Sequence, residues 1–356
     1  MSTLLLAYDG SADAESAVRA AGALFPGVTA VVVTARREPI TYEHASEAAL
    51  VAVPQDVLAS GVAALNQAAQ QKAAETAEAG ERAAAAAGLT AEVRIADVIT
   101  SPWRALRKVA DEIDADVVVC GSRGMGAFSR ATVGSTSTGL LHHAGRPVLV
   151  VPTDAVVSDG PLVIGYDGSE HAREAIAGAG RLLAGREAVV VHVWESFIRD
   201  SLGGRALAAL PGDELQAVVG DVETHFRERA AAVAAEGAEL AREHGLEARP
   251  EAAEASGPPW RGLLAAAGSA SASAVIAGSR GRGAVASSVL GSVSAGLVHN
   301  ADVPVLVVPQ AKRRRCPDSR RSARPRRIPG PPGTRRPPTC SRSGGRRAAG
   351  RSGRAG

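Results

Sequence analysis

The stretch Gly121-Ser-Arg-Gly124, followed after nine residues by Gly134-Ser135, recurs as Gly278-Ser-Arg-Gly281 and Gly291-Ser292. Each copy follows an apolar run and precedes a helix-like segment. With 39 glycines in 356 residues, one match is expected by chance on the order of 0.05 times per chain, so two matches in the same context carry information. The pattern suits the capture of phosphate, which needs backbone N–H donors and room for its oxygens. Gly121 and Gly124 remove Cβ atoms where the chain leaves a strand, so the loop can take positive φ and turn amides inward. Gly134-Ser135 opens a helix whose first N–H groups and dipole attract anions; the Ser135 hydroxyl adds a donor and Arg123 adds charge. The second copy offers Gly278, Arg280, Gly281, Gly291 and Ser292, with Arg282 as a further cation. The same glycines would also suit a tight strand-to-helix connection that holds no ligand.

Other chemistry is harder to assemble. Gly281-Arg-Gly-Ala-Val-Ala286 resembles a dinucleotide fingerprint, but it lies outside the first βαβ unit, with no opening helix or downstream acid to support it there. The P-loop pattern GxxxxGK[ST] is absent. No Ser/His/Asp or Cys/His set emerges, and no histidine has metal-ligand spacing. His142, His143 and His299 are expected near the ends of short helices, where an imidazole complements the dipole. Cys120 ends an apolar run and is expected to be an inert core thiol. Trp103 and Trp260 fit the core face of an amphipathic helix and receive no ligand. With no general base, metal site or catalytic residue identified, the chain is expected not to be an enzyme, and slow nucleotide hydrolysis ranks last among its functions.

The elements that must position these loops also repeat. Trp103 and Trp260 lie 157 residues apart, as do Gly121 and Gly278, Gly134 and Gly291, and Pro147 and Pro304, while Asp9 and Asp167 lie 158 apart. Residues 1–153 and 160–310 therefore read as two copies of one domain, separated by one early insertion or deletion. Each opens with an apolar strand, Thr3–Tyr8 or Leu162–Tyr166, and an Asp-Gly-Ser turn in which Ser11 or Ser169 can cap the next helix. The Asp-Gly pair could do no more than close that turn. A second strand follows at Val28–Thr34 or Ala188–Val193, then long Ala-rich helices at about 56–87 and 213–244. Alternating residues near Ala91–Ala96 predict a third strand, and Ser101-Pro102-Trp103 opens a helix with Trp103, Leu106, Val109/Ala110 and Ile113 on one face. Val117–Cys120, the glycine loop, a helix from Ser135 to about Ala144 and a strand at Pro147–Val151 complete the unit. Apolar strands alternating with helices predict a five-stranded, doubly wound parallel α/β domain, present twice. Ligands of such sheets bind at strand carboxyl ends where the strand order reverses, and both loop types belong on that rim.

Composition sets outer limits. Apolar residues make up 46% and aromatics 3%, so the cores must be built from Val, Leu, Ile and Ala. No signal peptide and no apolar run of membrane-spanning length are read, and the three cysteines, Cys120, Cys316 and Cys340, suggest reduced thiols in a cytoplasm. The net charge of +3 averages unlike parts: residues 312–356 hold 16 of the 40 Lys+Arg and a single acid, Asp318. The rest carries 24 basic against 36 acidic residues and is an acidic body.

Both halves resemble the universal stress protein family, as a tandem pair. The resemblance rests on the opening strand with Asp-Gly-Ser and on the sequences Val-Val-Val-Cys-Gly-Ser-Arg-Gly and Val-Ile-Ala-Gly-Ser-Arg-Gly. It extends to the endings His-His-Ala-Gly-Arg-Pro-Val-Leu-Val-Val-Pro and His-Asn-Ala-Asp-Val-Pro-Val-Leu-Val-Val-Pro, and it covers about residues 1–310. It implies an ATP-binding stress-response regulator in the cytoplasm, with ATP as ligand, with or without Mg2+. Carried over, Asp9, Gly121, Arg123, Gly124, Gly134 and Ser135 form site one, with Ala35 at the adenine. Asp167, Val193, Gly278, Arg280, Gly281, Gly291 and Ser292 form site two. Ala35 is smaller than Val193 and would grip adenine less well. The acid that precedes the fourth strand is Asp116 in the first half but Ser273 in the second, a position read as structural. The alternative is an interaction module that binds no nucleotide and regulates partners through dimer-like surfaces. The closing strands Val148–Val151 and Val305–Val308 are apolar edges that need cover, and pairing them through an intrachain pseudo-two-fold would resemble the family's usual dimer. Further association into a homodimer stays open.

The tail 311–356 is rich in Arg, Pro, Gly and Ser, cannot bury a core and is expected to be disordered. It reads as a basic arm for nucleic acid, as a GC-rich coding region read out of frame, or as an inert extension. Truncation after Gln310 is expected to leave the thermal midpoint and ATP affinity unchanged. If the arm is genuine, the full chain alone should bind DNA in a steeply salt-dependent way. Equal DNA binding with and without the tail would exclude the arm.

Overall fold

Leu4 and Leu6 point to one face of the first strand and Leu5 to the other, and all three are buried, as a strand covered on both faces requires. The computed structural model describes residues 2–39, 54–124, 133–195, 213–255, 257–281 and 290–310. The first half runs β1 (Thr3–Ala7), α1 (Ala12–Leu24), β2 (Thr29–Arg37), α2 (Gln55–Ala86) and β3 (Thr90–Val98). It continues through α3 (Pro102–Glu112), β4 (Val117–Gly121), α4 (Ser135–His143) and β5 (Val148–Val151). The second half repeats the order with β6 (Leu162–Gly165), α5 (Glu170–Leu183), β7 (Glu187–Trp194), α6 (Asp213–Glu243) and β8 (Glu247–Glu254). It ends with α7 (Pro259–Ser269), β9 (Ala274–Gly278), α8 (Ser292–Asn300) and β10 (Val305–Val308). The tail, with Cys316, Cys340 and its arginines, lies outside the described residues, as does Arg282.

All ten strands join one sheet in the order β3-β2-β1-β4-β5-β10-β9-β6-β7-β8. Within each half every pairing is parallel, as the doubly wound reading expects, and the winding reverses between β1 and β4 and between β6 and β9. The exception is the seam, where β5 and β10 pair antiparallel with Leu149 opposite Leu306. Those two residues are equivalent in the repeat, so the local two-fold passes between them, and each closing strand covers the other's apolar edge. The pseudo-dimer expected from the sequence is thus built within one chain. Two apolar clusters, one on each face of the sheet, both run across the seam.

Differences from the sequence reading have local causes. β2 extends to Arg37, three residues past Thr34, because it keeps pairing with β3 as far as Val98, with an ion pair between Arg36 and Asp97. β8 fills the third-strand place that the repeated five-stranded unit expects, though the sequence reading assigns no residues to it: its sequence, Glu-Ala-Arg-Pro-Glu-Ala-Ala-Glu, is charged and holds Pro250, which an edge strand tolerates because one side of its backbone has no strand to bond. Charge on both outer strands, β3 and β8, also discourages edge-to-edge growth of the sheet. Asp116 accepts the Thr3 amide at 3.0 Å, which makes it structural. The equivalent of Thr3 in the second half is Pro161, which has no N–H, so Ser273 suffices there.

With few aromatics available, the rings that exist are seated on glycines. A Cβ at Gly80 or Gly237 would come within 2.8 or 2.6 Å of Tyr8 or Tyr166, and one at Gly139 or Gly296 would enter the ring of Trp103 or Trp260. The two tryptophans, on α3 and α7, are packed against the core, as expected, each seated against a glycine of the short helix that follows the glycine loop.

Candidate nucleotide site

β1 ends by handing its chain to an Asp-Gly-Ser turn that both halves build with the same bonds. Asp9 Oδ1 accepts the Ser11 amide at 3.0 Å, and Asp167 Oδ1 accepts that of Ser169 at 3.0 Å. Gly10 and Gly168 take the left-handed φ of 80° and 79° that this turn requires. Ser11 and Ser169 then cap α1 and α5, each accepting at 3.2 Å from the amide three residues on.

The neighbouring strand end is as regular. Ser122 N–H donates to Val151 O at 2.8 Å, Gly134 N–H to Ser122 O at 2.8 Å, and the buried Ser137 hydroxyl to Gly121 O at 2.7 Å. The second half gives Ser279 to Val308 O at 2.8 Å, Gly291 to Ser279 O at 2.8 Å, and Ser294 to Gly278 O at 2.6 Å. Ser137 and Ser294, which the sequence reading did not single out, tie the short helix to the strand end and so fix where its N-terminus points. Their signal was a third repeated serine two residues into the helix. Ser137→Ala is expected to destabilise by about 1–2 kcal/mol, since a buried donor to a backbone carbonyl is lost. Urea unfolding tests it; a change below about 0.3 kcal/mol would show that the bond is dispensable.

The motif glycines serve close approach. None of Gly121, Gly124, Gly134, Gly278, Gly281 or Gly291 takes positive φ, which corrects the expectation at these glycines; residues 125–132 and 282–289 between them lie outside the described residues. A Cβ at Gly121 would lie 2.6 Å from Asp13 Cβ, and one at Gly278 would lie 2.5 Å from His171 O, so these two seat the strand end against α1 and α5. Gly134 and Gly291 sit over the Cα atoms of Arg123 and Arg280, at 3.3 and 3.0 Å from an added Cβ. Gly124 meets the turn itself: its Cβ would be 2.7 Å from Asp9 Oδ2, against 3.5 Å between Gly281 and Asp167 Oδ2. The turn and the glycine loop are therefore in contact on one rim at the switch point, where α/β sheets place ligands.

α4 and α8 each open from a glycine N-cap, which has no side chain to cap the helix, whereas α1 and α5 are capped by serine. Ser135 and Ser292 stand exposed at these two starts. Ala35 and Val193 lie on β2 and β7, two residues beyond the partners of Ala7 and Gly165, which aligns them with Asp9 and Asp167. Both are half-buried, and Val193 also packs under Gly262 of α7.

The universal stress protein family matches this chain twice, over residues 1–152 and 160–309. The chain belongs to that family. Among curated relatives, it is similar to a universal stress protein of Mycobacterium tuberculosis, 33% identical over 220 residues, which span 60% of this chain and 68% of that one. Another, from Mycolicibacterium smegmatis, is 34% identical over 210 residues, covering 54% and 62%. Among solved structures, a universal stress protein from Archaeoglobus fulgidus shares the fold with a TM-score of 0.54 at 22% identity, covering 86% of this chain and 98% of that one.

In this universal stress protein the two rims differ at the first turn of α1 and α5. Asp13, 6% exposed, accepts the Arg123 amide at 2.8 Å, the Ser122 hydroxyl at 3.1 Å and Arg123 Nε at 3.3 Å. Thr153 closes the cluster, bonding both Asp13 and Arg123. At the equivalent place in the second half stands His171, whose Nε2 is buried with no hydrogen-bond partner among the described residues. Beneath the second rim, the Tyr166 hydroxyl donates to Glu236 at 2.8 Å, and Arg173 pairs with the same carboxylate. Burial, then that bond, pushes the Tyr166 phenol up to about 12. Burial likewise pushes the Cys120 thiol up to about 12, so it is a core thiol and no nucleophile at neutral pH. His143 stacks on Trp103 at 4.6 Å, and His299 bonds Ala295 O within its own helix. Among the described residues no helix is long and apolar enough to cross a membrane.

Proposed function

We propose that this universal stress protein binds an adenine nucleotide, ATP, at its glycine rims and acts as a cytoplasmic stress-response regulator without being an enzyme. The observation that carries the reading is the duplicated helix start: α4 and α8 each open from a glycine N-cap that offers no side-chain acceptor, each anchored by the same serine bond and facing the same Asp-Gly-Ser turn. First-turn amides and a helix dipole suit the phosphates of a nucleotide. The glycines keep Cβ atoms away from Asp9 and Asp167, and the strand register aligns these acids with Ala35 and Val193, as a base-binding role would require. The residues present therefore fit a nucleotide, and bound ATP would supply its triphosphate to those amides. Any Mg2+ would arrive on the phosphate oxygens. Binding without turnover is supported by the engagement of the rim acids: Asp9 accepts the Ser11 amide and Asp13 holds Arg123, so neither is set up to activate water.

The stress role follows from family membership alone. A test of the binding claim is to denature the purified full-length chain, identify any nucleotide released, and titrate the stripped protein with ATP by calorimetry. Release of ATP or ADP, or saturable ATP heat, is the expected outcome; neither signal would leave the interaction-module reading in its place.

A further inference from the structure

We propose that the outward face of α3 is a self-complementary contact through which two copies of this chain associate, helix against antiparallel helix. The contact is independent of any bound nucleotide. α3 buries Leu106, Val109 and Ala110 and turns Arg104, Arg107, Lys108, Asp111 and Glu112 outward, bases first and acids last. That order works against the helix itself. The bases lie toward the positive end of its dipole and the acids toward the negative end, which costs stability. Each base also precedes its acid by four residues, the weaker order for such a pair. Arg107 meets Asp111 at 3.7 Å and Lys108 meets Glu112 at 3.8 Å, while Arg146 and Arg94 reach the same two acids. Ion pairs this exposed contribute little, so exchanging their partners costs the chain little.

A two-fold axis over the helix, between Lys108 and Asp111, turns the unfavourable order into a favourable one. Each copy would set its Arg107 and Lys108 opposite Glu112 and Asp111 of the other, as a closed two-fold contact demands. Arg104 would meet the carboxyl end of the second helix, beside the exposed Asp114 of that copy. The bases of each α3 would then lie against the negative end of the other's dipole. An open groove of about 790 Å3 runs along this face, lined by the five charged residues and by Trp103 and His143, whose rings stack at 4.6 Å. The rest of the body favours no other approach by charge: with 24 basic against 36 acidic residues before the tail, two copies repel in most orientations. The fold does not require the pattern either. α7, 157 residues on, keeps Trp260 and Arg261, with the guanidinium over the ring as in α3. It has Leu264, Ala265, Gly268 and Ser269 where α3 has its other four charges, and it packs in the same way without them. Each chain therefore offers one such face, and association through it stops at two copies.

Sedimentation velocity on the full-length protein tests the contact. At low salt a concentration-dependent monomer–dimer equilibrium is expected, weakening as salt rises, because exposed charges are screened within about 10 Å at 0.1 M. Arg107→Glu with Lys108→Glu should weaken the dimer by on the order of tenfold or more, and Asp111→Lys with Glu112→Lys should do the same. Mixed in equal amounts, these two variants should pair with each other, since an acidic α3 then meets a basic one. Lys72→Glu with Arg82→Glu, on the exposed side of α2, makes the same change in net charge as the first pair and should leave the dimer as strong as in the parent chain. If a reversed variant loses its native circular dichroism, Arg107→Gln with Lys108→Gln replaces it, with a severalfold weakening expected. A parent chain that stays monomeric at low salt overturns the proposal. So does a dimer that survives both reversals, a mixture that fails to pair, or a control as weak as the reversed variants.

Discussion

Gly124→Val combined with Gly281→Val is expected to abolish ATP binding while the thermal midpoint moves by no more than about 3 °C. Both glycines have φ values outside the left-handed region, so valine meets no backbone penalty at either place. At Gly281 the nearest atom to an added Cβ is Asp167 Oδ2 at 3.5 Å, an ordinary contact, and at Gly124 it is the far end of the Asp9 side chain at 2.7 Å, which has to turn slightly. The fold can therefore absorb both changes. The rim cannot: the valine methyl groups would stand between the turn carboxylate and the glycine-opened helix start, where the phosphates are to lie, and in repeat 1 they would also turn Asp9 aside. Calorimetry on a double variant with native circular dichroism decides the matter. Undiminished ATP heat would remove the glycine loops from the site.

The largest effect on stability is expected at the seam. Leu306→Ala should cost about 3 kcal/mol, and Leu149→Ala about the same, because each deletes buried methyl groups at a position that cannot collapse without separating the closing strands. The double variant should depart from the sum of the two, since the leucines face each other across the ladder. Both apolar clusters cross this line, so loss here should be felt by both halves in one transition. Urea unfolding followed by tryptophan fluorescence and by circular dichroism should give one coincident curve for each variant. Two separated transitions would mean that the halves fold independently and that the seam is a docking contact.

Much of this architecture is written in single residues that recur. Glycine, tryptophan and proline at constant offsets exposed the duplication, and uninterrupted Val-Leu-Ile runs located the inner strands, since a strand buried on two faces has no polar alternation to disguise it. The edge strand β8, implied by the repeat, was not located because Pro250 and its charges, which suit a strand with one unpaired side, are the marks usually read against strand. The glycine loops were legible as to place and not as to cause. The sequence suggested left-handed φ, but the need is for close approach to Asp13, His171, Asp9 and the arginine backbones, and that depends on which helix lies across the strand end. Asp13 escaped for the same reason. It is an acid in the first turn of a helix, where acids commonly sit exposed beside the dipole, and only the tertiary fold buries it against Arg123. Its mismatch with His171 was visible in the alignment of the halves, yet without partners in view it carried no meaning.

One ladder in the sheet runs against all the others, and it sets the relation between the two rims. Because β5 and β10 are antiparallel while each half is otherwise parallel, the carboxyl ends of β1 and β4 point opposite to those of β6 and β9. The rims therefore lie at opposite poles of the sheet, and no single nucleotide can be shared between them. In a dimer of two identical chains with this symmetry, any substitution would appear at both poles at once. Here the two-fold is spanned by one continuous chain, so a residue such as Asp13 can be altered at one pole while the other keeps its histidine. Joining the halves has thus freed the residues of each pole to diverge while both keep a shared core.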